Sequence, residues 1–133
     1  MHILTIVLRF LHVFGGAFWF GASMMVGFYI SPTVAATGEV GQKFMGSLVL
    51  KARIHTVIAA AGGTTILAGA WLYLIDSGGG SSAWARSGPG IVFGIGGFFG
   101  LIGFIYGMMI GKNLKILAEI GSQIQGKPTP EQM

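Results

Sequence analysis

Three long apolar stretches dominate the pattern of hydrophobic and polar positions along the chain. They cover residues 3–30, 54–75 and 89–111, and Arg9 is the one charged side chain among them. The hydrocarbon core of a bilayer is about 30 Å thick, so a helix needs roughly 20 apolar residues to cross it. The pattern therefore predicts an all-α transmembrane helical bundle with three visible spans, forming a single membrane domain over residues 1–133.

The first span is expected to stay in the protein and to end at a proline. The apolar run is too long for a signal peptide, and no basic residue precedes it. Pro32 disfavours helical geometry at the residue before it, which predicts that the helix ends at Ser31 and Pro32.

The polar segments between and after the spans predict shorter elements. Apolar side chains recur at helical spacing in residues 37–52, which predicts a short interfacial helix. The Gly- and Ser-rich residues 76–88 predict a loop. Residues 112–124 predict a polar helical extension of the third span, and residues 126–133 are expected to be disordered. The extension would also suit the approach to a fourth span, which this sequence does not contain.

Basic residues predict the orientation in the membrane. Lys43, Lys51 and Arg53 follow the first span. Three more lysines follow the third span, at positions 112, 115 and 127, whereas Arg86 follows the second. Because basic residues concentrate on the cytoplasmic side, the N-terminus is expected outside and the tail of residues 112–133 inside the cell.

Composition agrees with a membrane protein and excludes several other classes. The chain is 53% hydrophobic and 9% charged, whereas soluble domains have about 25% charged residues. It has no cysteine, which excludes disulfides, thiolate metal sites and redox thiols. The net charge is +4, but the basic residues lie between the spans, as in a membrane anchor. No nucleic-acid partner is therefore expected.

Arg9 and His12 are the first candidates for chemistry, because ionisable residues inside a span are costly and often functional. They are three residues apart and share one helix face. His12 lies about 13 Å along the helix from Ile3, near the middle of the bilayer. The pair could bind haem b, with His12 as axial ligand and Arg9 pairing with a propionate. Alternatively, Arg9 reaches the lipid headgroups and His12 hydrogen-bonds a neighbouring helix.

The other spans offer no second histidine at the depth of His12. Counting inward from the outer ends reaches residues 64–66 on the second span and 97–100 on the third. His55 lies at the opposite end of the second span, about 15 Å away at the helical rise, so a haem held between both histidines is not expected.

Two further pairs of residues are weaker candidates. Arg53 and His55 form a polar pair at the inner end of the second span, and contact with lipid headgroups competes there with a quinone or propionate site. Met24 and Met108 are expected at similar depth, and their thioethers could bind Cu(I) or simply fill apolar space.

A ladder of glycines along the third span predicts close helix packing. Small residues four apart let a second helix approach the backbone. The spacing leaves open whether that helix is internal, belongs to a second copy or belongs to another transmembrane subunit. The ladder consists of Gly96, Gly100, Gly103, Gly107 and Gly111.

The first span resembles the opening of the CopD-like and HemJ-like families of small bacterial membrane proteins. The similarity rests on Arg9, His12, the Trp19-Phe-Gly21 element and Pro32, and it continues through Arg53, Gly69 and Trp71 over about the first 75 residues. It implies a four-helix membrane bundle. The HemJ-like branch implies haem b at the histidine matching His12 and protoporphyrinogen oxidation, and the CopD-like branch implies copper handling. This sequence departs from both families because it has no fourth span.

Together these features favour a small bacterial inner-membrane protein without catalytic activity of its own. The preferred interpretation is an accessory subunit that packs through its glycine-rich helices into a larger redox or bioenergetic complex. A haem-binding protein that uses His12 is the alternative, and copper handling is a third.

Overall fold

The computed structural model describes residues 2–125, and this part of the chain is helical with short connections. It confirms the all-α prediction. The predicted disorder of residues 126–133 falls outside the described residues. In chain order the elements are α1 (Ile3–Met25), a π-helical turn (Val26–Ile30), α2 (Ser31–Ala36), α3 (Gly38–Leu50), α4 (Ile54–Asp76), α5 (Ser82–Ala85) and α6 (Gly88–Gln125).

Three helical runs within the described residues are long and apolar enough to cross a membrane. They are Ile3–Ala36, Ile54–Asp76 and Gly88–Ile124, and their most apolar stretches of 18 residues have mean hydropathies of 1.8, 1.6 and 2.0. The most apolar stretches of the first and third runs have no fully buried residue, and most of their large apolar side chains are exposed. Apolar surface of this extent requires lipid or other apolar partners, and the protein is membrane-embedded.

The prediction that the first helix ends at Ser31 and Pro32 is wrong. The helical run continues to Ala36, and the Ser31 N–H bonds the Val26 carbonyl five residues earlier. Proline lacks an N–H, and its ring crowds the carbonyl four residues before it in a regular helix. A π-helical turn changes the hydrogen-bond register just before Pro32, so the chain keeps its helical course through the proline.

The shorter elements agree with the predicted pattern. α3 lies within the segment predicted as a short helix, and α6 continues through residues 112–124 as the predicted extension. The predicted loop 76–88 contains one helical turn, α5. Its three consecutive glycines at 78–80 all have positive φ, between 64° and 93°, which explains why glycine occupies the turn.

α4 is the central helix of the membrane region. It packs against α1 on one side and α6 on another, while α1 and α6 make no backbone packing with each other in the part described. α3 folds back from α2 and packs against α6. We call the end where α3 meets α4 the basic end, because it carries Lys43, Lys51, Arg53, Lys112 and Lys115.

Candidate functional site

Glycines allow α1 and α4 to approach closely. A Cβ atom on Gly15 would lie 2.8 Å from the Oγ1 atom of Thr65, and one on Gly69 would lie 2.6 Å from the Cε1 atom of His12. Ordinary contacts between carbon atoms are about 3.5–4.0 Å, so neither position has room for a side chain. The predicted small-residue packing is therefore present, but between α1 and α4.

His12 makes a hydrogen bond across this contact. Its Nδ1 atom lies 2.9 Å from the Thr65 carbonyl oxygen, which can only accept, so Nδ1 donates. In the neutral ring, Nε2 then carries the lone pair. The Thr65 hydroxyl is occupied elsewhere, since it donates to the Ala61 carbonyl at 2.8 Å. The expectation that His12 bonds a neighbouring helix is confirmed, and this bond leaves Nε2 free to accept a proton donor or a metal.

Packing fixes the orientation of the His12 ring while the residue stays exposed. The ring lies on Gly69, which has no side chain to push it away from α4. His12 remains exposed at the surface of the bundle, and so does Arg9, one turn nearer the N-terminus of the same helix. An oriented imidazole at a membrane-facing surface can serve as a ligand or as a contact for another subunit.

The contact between α4 and α6 has an antiparallel register. The Gly100 backbone lies opposite Ile66, where a Cβ would be 3.5 Å from the Ile66 Cδ1 atom. At one end the Tyr73 hydroxyl donates to the Gly90 carbonyl at 3.4 Å. Because the helices run in opposite directions, residues near Gly97 lie level with Gly69 and with the His12 ring that rests on it.

The glycine ladder of α6 is divided between two surroundings. Gly100 and Gly111 face α4, where Cβ atoms would meet Ile66 and His55 at 3.5 Å. By contrast, Cβ atoms on Gly96, Gly103 and Gly107 would meet nothing within 4 Å. At about 100° per residue these three lie within roughly 40° of one another on the helix surface. We call them the open glycine face.

An aromatic pair joins α1 and α6 across the middle of α4. The Trp19 and Phe104 rings pack edge to face with centroids 6.0 Å apart, and both cover Gly62. The glycines of the second span, Gly62 among them, are part of the predicted packing signal, but nothing in the sequence pattern pointed to Phe104. The sequence shows a bulky aromatic residue on each outer helix and a glycine on the central helix. It does not show the register of the helices, which brings these three residues together.

The second polar pair lies far from His12. Arg53 precedes α4 with a left-handed φ of 52°. His55 packs its Cβ side against Gly111, and its Nδ1 atom is buried without a hydrogen-bond partner in residues 2–125. His12 contacts α4 at Thr65, ten residues beyond His55 and about 15 Å away at the helical rise. The structure does not bring the two histidines together.

The two methionines considered for copper are separated onto different helices. Met24 is on α1 and Met108 on α6, and their side chains are 40% and 53% exposed. Within residues 2–125 no group of three His, Cys, Asp or Glu side chains is placed to hold a metal ion. A copper site at Met24 and Met108 stays a prediction.

No family model, no curated protein and no solved structure matches the chain. The resemblance of the first span to the CopD-like and HemJ-like families therefore stays a prediction.

Proposed function

We propose that this chain is an accessory subunit of a larger membrane complex, and that it docks a transmembrane helix of another subunit on the open glycine face. The observation that carries the proposal is the empty space beside Gly96, Gly103 and Gly107 on a span-length helix. The same physics already holds α1 against α4, where glycines permit close contact. Lipid tails are as apolar as the surfaces of the helices, so the hydrophobic effect does not drive helices together within the bilayer. Close van der Waals packing at small residues drives the association instead.

The distribution of charge supports a definite orientation for this subunit. Within residues 2–125, five lysines and arginines lie at the basic end, whereas Arg9 and Arg86 lie toward the other end. By the positive-inside rule this distribution supports a cytoplasmic basic end, and we propose the inner membrane of a bacterium as the location.

Leucine substitutions test the docking surface. Gly103→Leu or Gly107→Leu should fill the open glycine face and release the chain from larger subunits during purification in mild detergent. Gly97→Leu is the matched control, since Gly97 also has open space but lies about 100° from Gly96 around α6. Equal co-purification of all three variants with the same partners would remove the open glycine face from the interface.

A crosslink identifies what occupies that face. The chain has no cysteine, so Gly107→Cys introduces a unique thiol. Crosslinking to a different membrane protein supports the accessory role, and a homodimer shows that a second copy occupies the face instead.

The hydrogen bond of His12 favours a second candidate function, binding of haem b. Histidines that ligate metals commonly donate the other ring N–H to a backbone carbonyl, which orients the ring and makes it a better ligand. His12 has this arrangement with Thr65. His12 would hold the haem iron through Nε2, and residues 2–125 supply no second histidine at that level. Haem, when bound, would supply one-electron redox chemistry.

An absorption spectrum tests this second function. The purified complex should show a Soret band that is lost in His12→Ala and kept in His55→Ala. A band that survives in both variants, or none in the wild type, rules out His12 as a haem ligand.

A further inference from the structure

A groove at the basic end lies outside the membrane contacts described above. It has a volume of about 640 Å³ and separates α3 from the last part of α6. Leu50, Leu114 and Leu117 line it with apolar surface, and the basic residues Lys43 and Lys51 also line it. A groove that combines an apolar lining with cationic side chains suits an amphiphile with an anionic head.

The charges around the groove are not balanced within the described residues. Lys43 pairs with Glu39 at 2.8 Å, and Lys115 pairs with Glu119 at 3.7 Å. No carboxylate of residues 2–125 pairs with Lys51, with Arg53 or with Lys112. Lys51 is thus a groove residue whose positive charge has no acidic partner there, and a ligand with negative charge would neutralise it.

The position of Lys51 along the chain matches the boundary of the membrane. It lies three residues before Ile54, where a membrane-spanning helix begins. Basic residues at this level attract anionic lipid headgroups.

Gly111 packs against His55, so Leu114 lies near the start of α4 and Leu117 lies beyond it, away from the membrane-spanning part of α4. An acyl chain that follows these leucines would therefore leave the bilayer and lie in the groove between α3 and α6.

We propose that the groove binds one anionic glycerophospholipid, with its phosphate at Lys51 and an acyl chain along Leu50, Leu114 and Leu117. A zwitterionic lipid carries the same phosphate together with a cationic ammonium group, so its net attraction to Lys51 is weaker. A helix from a partner protein would cover the leucines, but it would also need an acidic residue opposite Lys51 to neutralise its charge. The site is independent of the open glycine face and of His12.

Lipid retention in native mass spectrometry tests the site on the full chain. Protein from mixed vesicles of phosphatidylglycerol and phosphatidylcholine should retain one phosphatidylglycerol. Lys51→Gln should reduce that retention roughly fivefold, as expected for one basic residue at an anionic lipid surface. Lys115→Gln is the matched control, because it removes a positive charge at the same end from a residue that does not line the groove. Equal retention by both variants, or no preference for phosphatidylglycerol, overturns the proposal.

A second variant tests the groove without changing charge. Gly121 lines the groove, and a Cβ there would meet nothing within 4 Å, so Gly121→Leu fills space without a clash. It should abolish lipid retention while circular dichroism stays unchanged. Retention of phosphatidylglycerol at the wild-type level would show that lipid binds elsewhere. A protein subunit retained in place of lipid by the wild type would also overturn the proposal.

Discussion

The two sides of α4 use glycine in opposite ways. Toward α1, the glycines are covered: Gly15 and Gly69 lie so close to Thr65 and His12 that an added Cβ would collide. Toward α6, only Gly62 is covered as closely, by the Phe104 ring, whereas Cβ atoms on Gly100 and Gly111 would make ordinary contacts at 3.5 Å. Gly96, Gly103 and Gly107 of α6 lie next to open space. The first contact is complete within this chain, whereas the second leaves a flat helical surface beside it.

This difference shows that glycine spacing alone does not identify an interface. Gly96 and Gly100 are four residues apart and look equivalent in the sequence, but only Gly100 faces Ile66. What separates them is the rotation of α6 about its axis, which side chains such as Phe104 set by packing on α4.

The largest effect is expected from filling a covered glycine. A Cβ on Gly62 would lie 2.8 Å from the Phe104 ring and 2.9 Å from the Trp19 ring, so both aromatic side chains would have to move. Gly62→Ala should lower the free energy of unfolding by about 1–3 kcal/mol, as overpacking does. Unfolding in mixed detergent micelles measures this value, and an unchanged stability would show that the three-helix contact is loose.

Removing the hydrogen bond across the α1–α4 contact should have a moderate effect. His12→Leu keeps an apolar side chain on Gly69 but leaves the Thr65 carbonyl with only its helical partner. Hydrogen bonds between membrane helices contribute about 0.6 kcal/mol on average, and up to about 2 kcal/mol. The same unfolding measurement applies, with His55→Leu as control because His55 makes no hydrogen bond to another helix among the described residues. A larger loss in the control would reverse the assignment.

Gly103→Ala sharpens the comparison from the other side. The new methyl group meets nothing within 4 Å, and alanine favours helix over glycine by up to about 1 kcal/mol in water. The isolated chain should therefore be as stable as the wild type or slightly more stable. Destabilisation comparable to that of Gly62→Ala would mean that a second copy of the chain already covers Gly103.

The smallest effect is expected outside both contacts, at the exposed pair on α3. Hydrogen bonding and attraction from Lys43 hold the pKa of Glu39 below its ordinary value. The pair therefore stabilises α3 above the ordinary pKa of a glutamate, and this contribution disappears as the pH falls through the lowered value. An NMR titration of Glu39 should give a midpoint below that of an unpaired glutamate, and Lys43→Gln should raise it. Identical midpoints would show that the pair does not persist in solution.

The elements of the fold could be predicted because lipid imposes strong rules on sequence. Span length, the helix in residues 37–52 and the extension of α6 all follow from hydropathy and periodicity. The predicted helix end at Pro32 is wrong because a proline usually ends a helix. Nothing in the local sequence shows that a π-helical turn precedes it.

The candidate site was less predictable, because it depends on contacts between distant residues. His12 could be selected as an ionisable residue at mid-span, and counting along the helices placed it level with Thr65. That it donates to the Thr65 carbonyl and rests on Gly69 depends on the packing of α1 against α4. The same holds for the division of the glycine ladder, since rotation of α6 is decided by side chains that a linear pattern does not pair.

The π-helical turn at Val26–Ile30 also sets the rotation of α2 about the axis of the first helical run. One additional residue in a turn rotates the downstream helix by about 100° relative to a regular α-helix. This rotation sets the direction of α2. Because α3 folds back from α2, it also sets the side from which α3 packs against α6. Deleting a single residue such as Gly27 would swing α3 around the bundle axis, whereas the mid-span pairing of α1 with α4 would keep its phase.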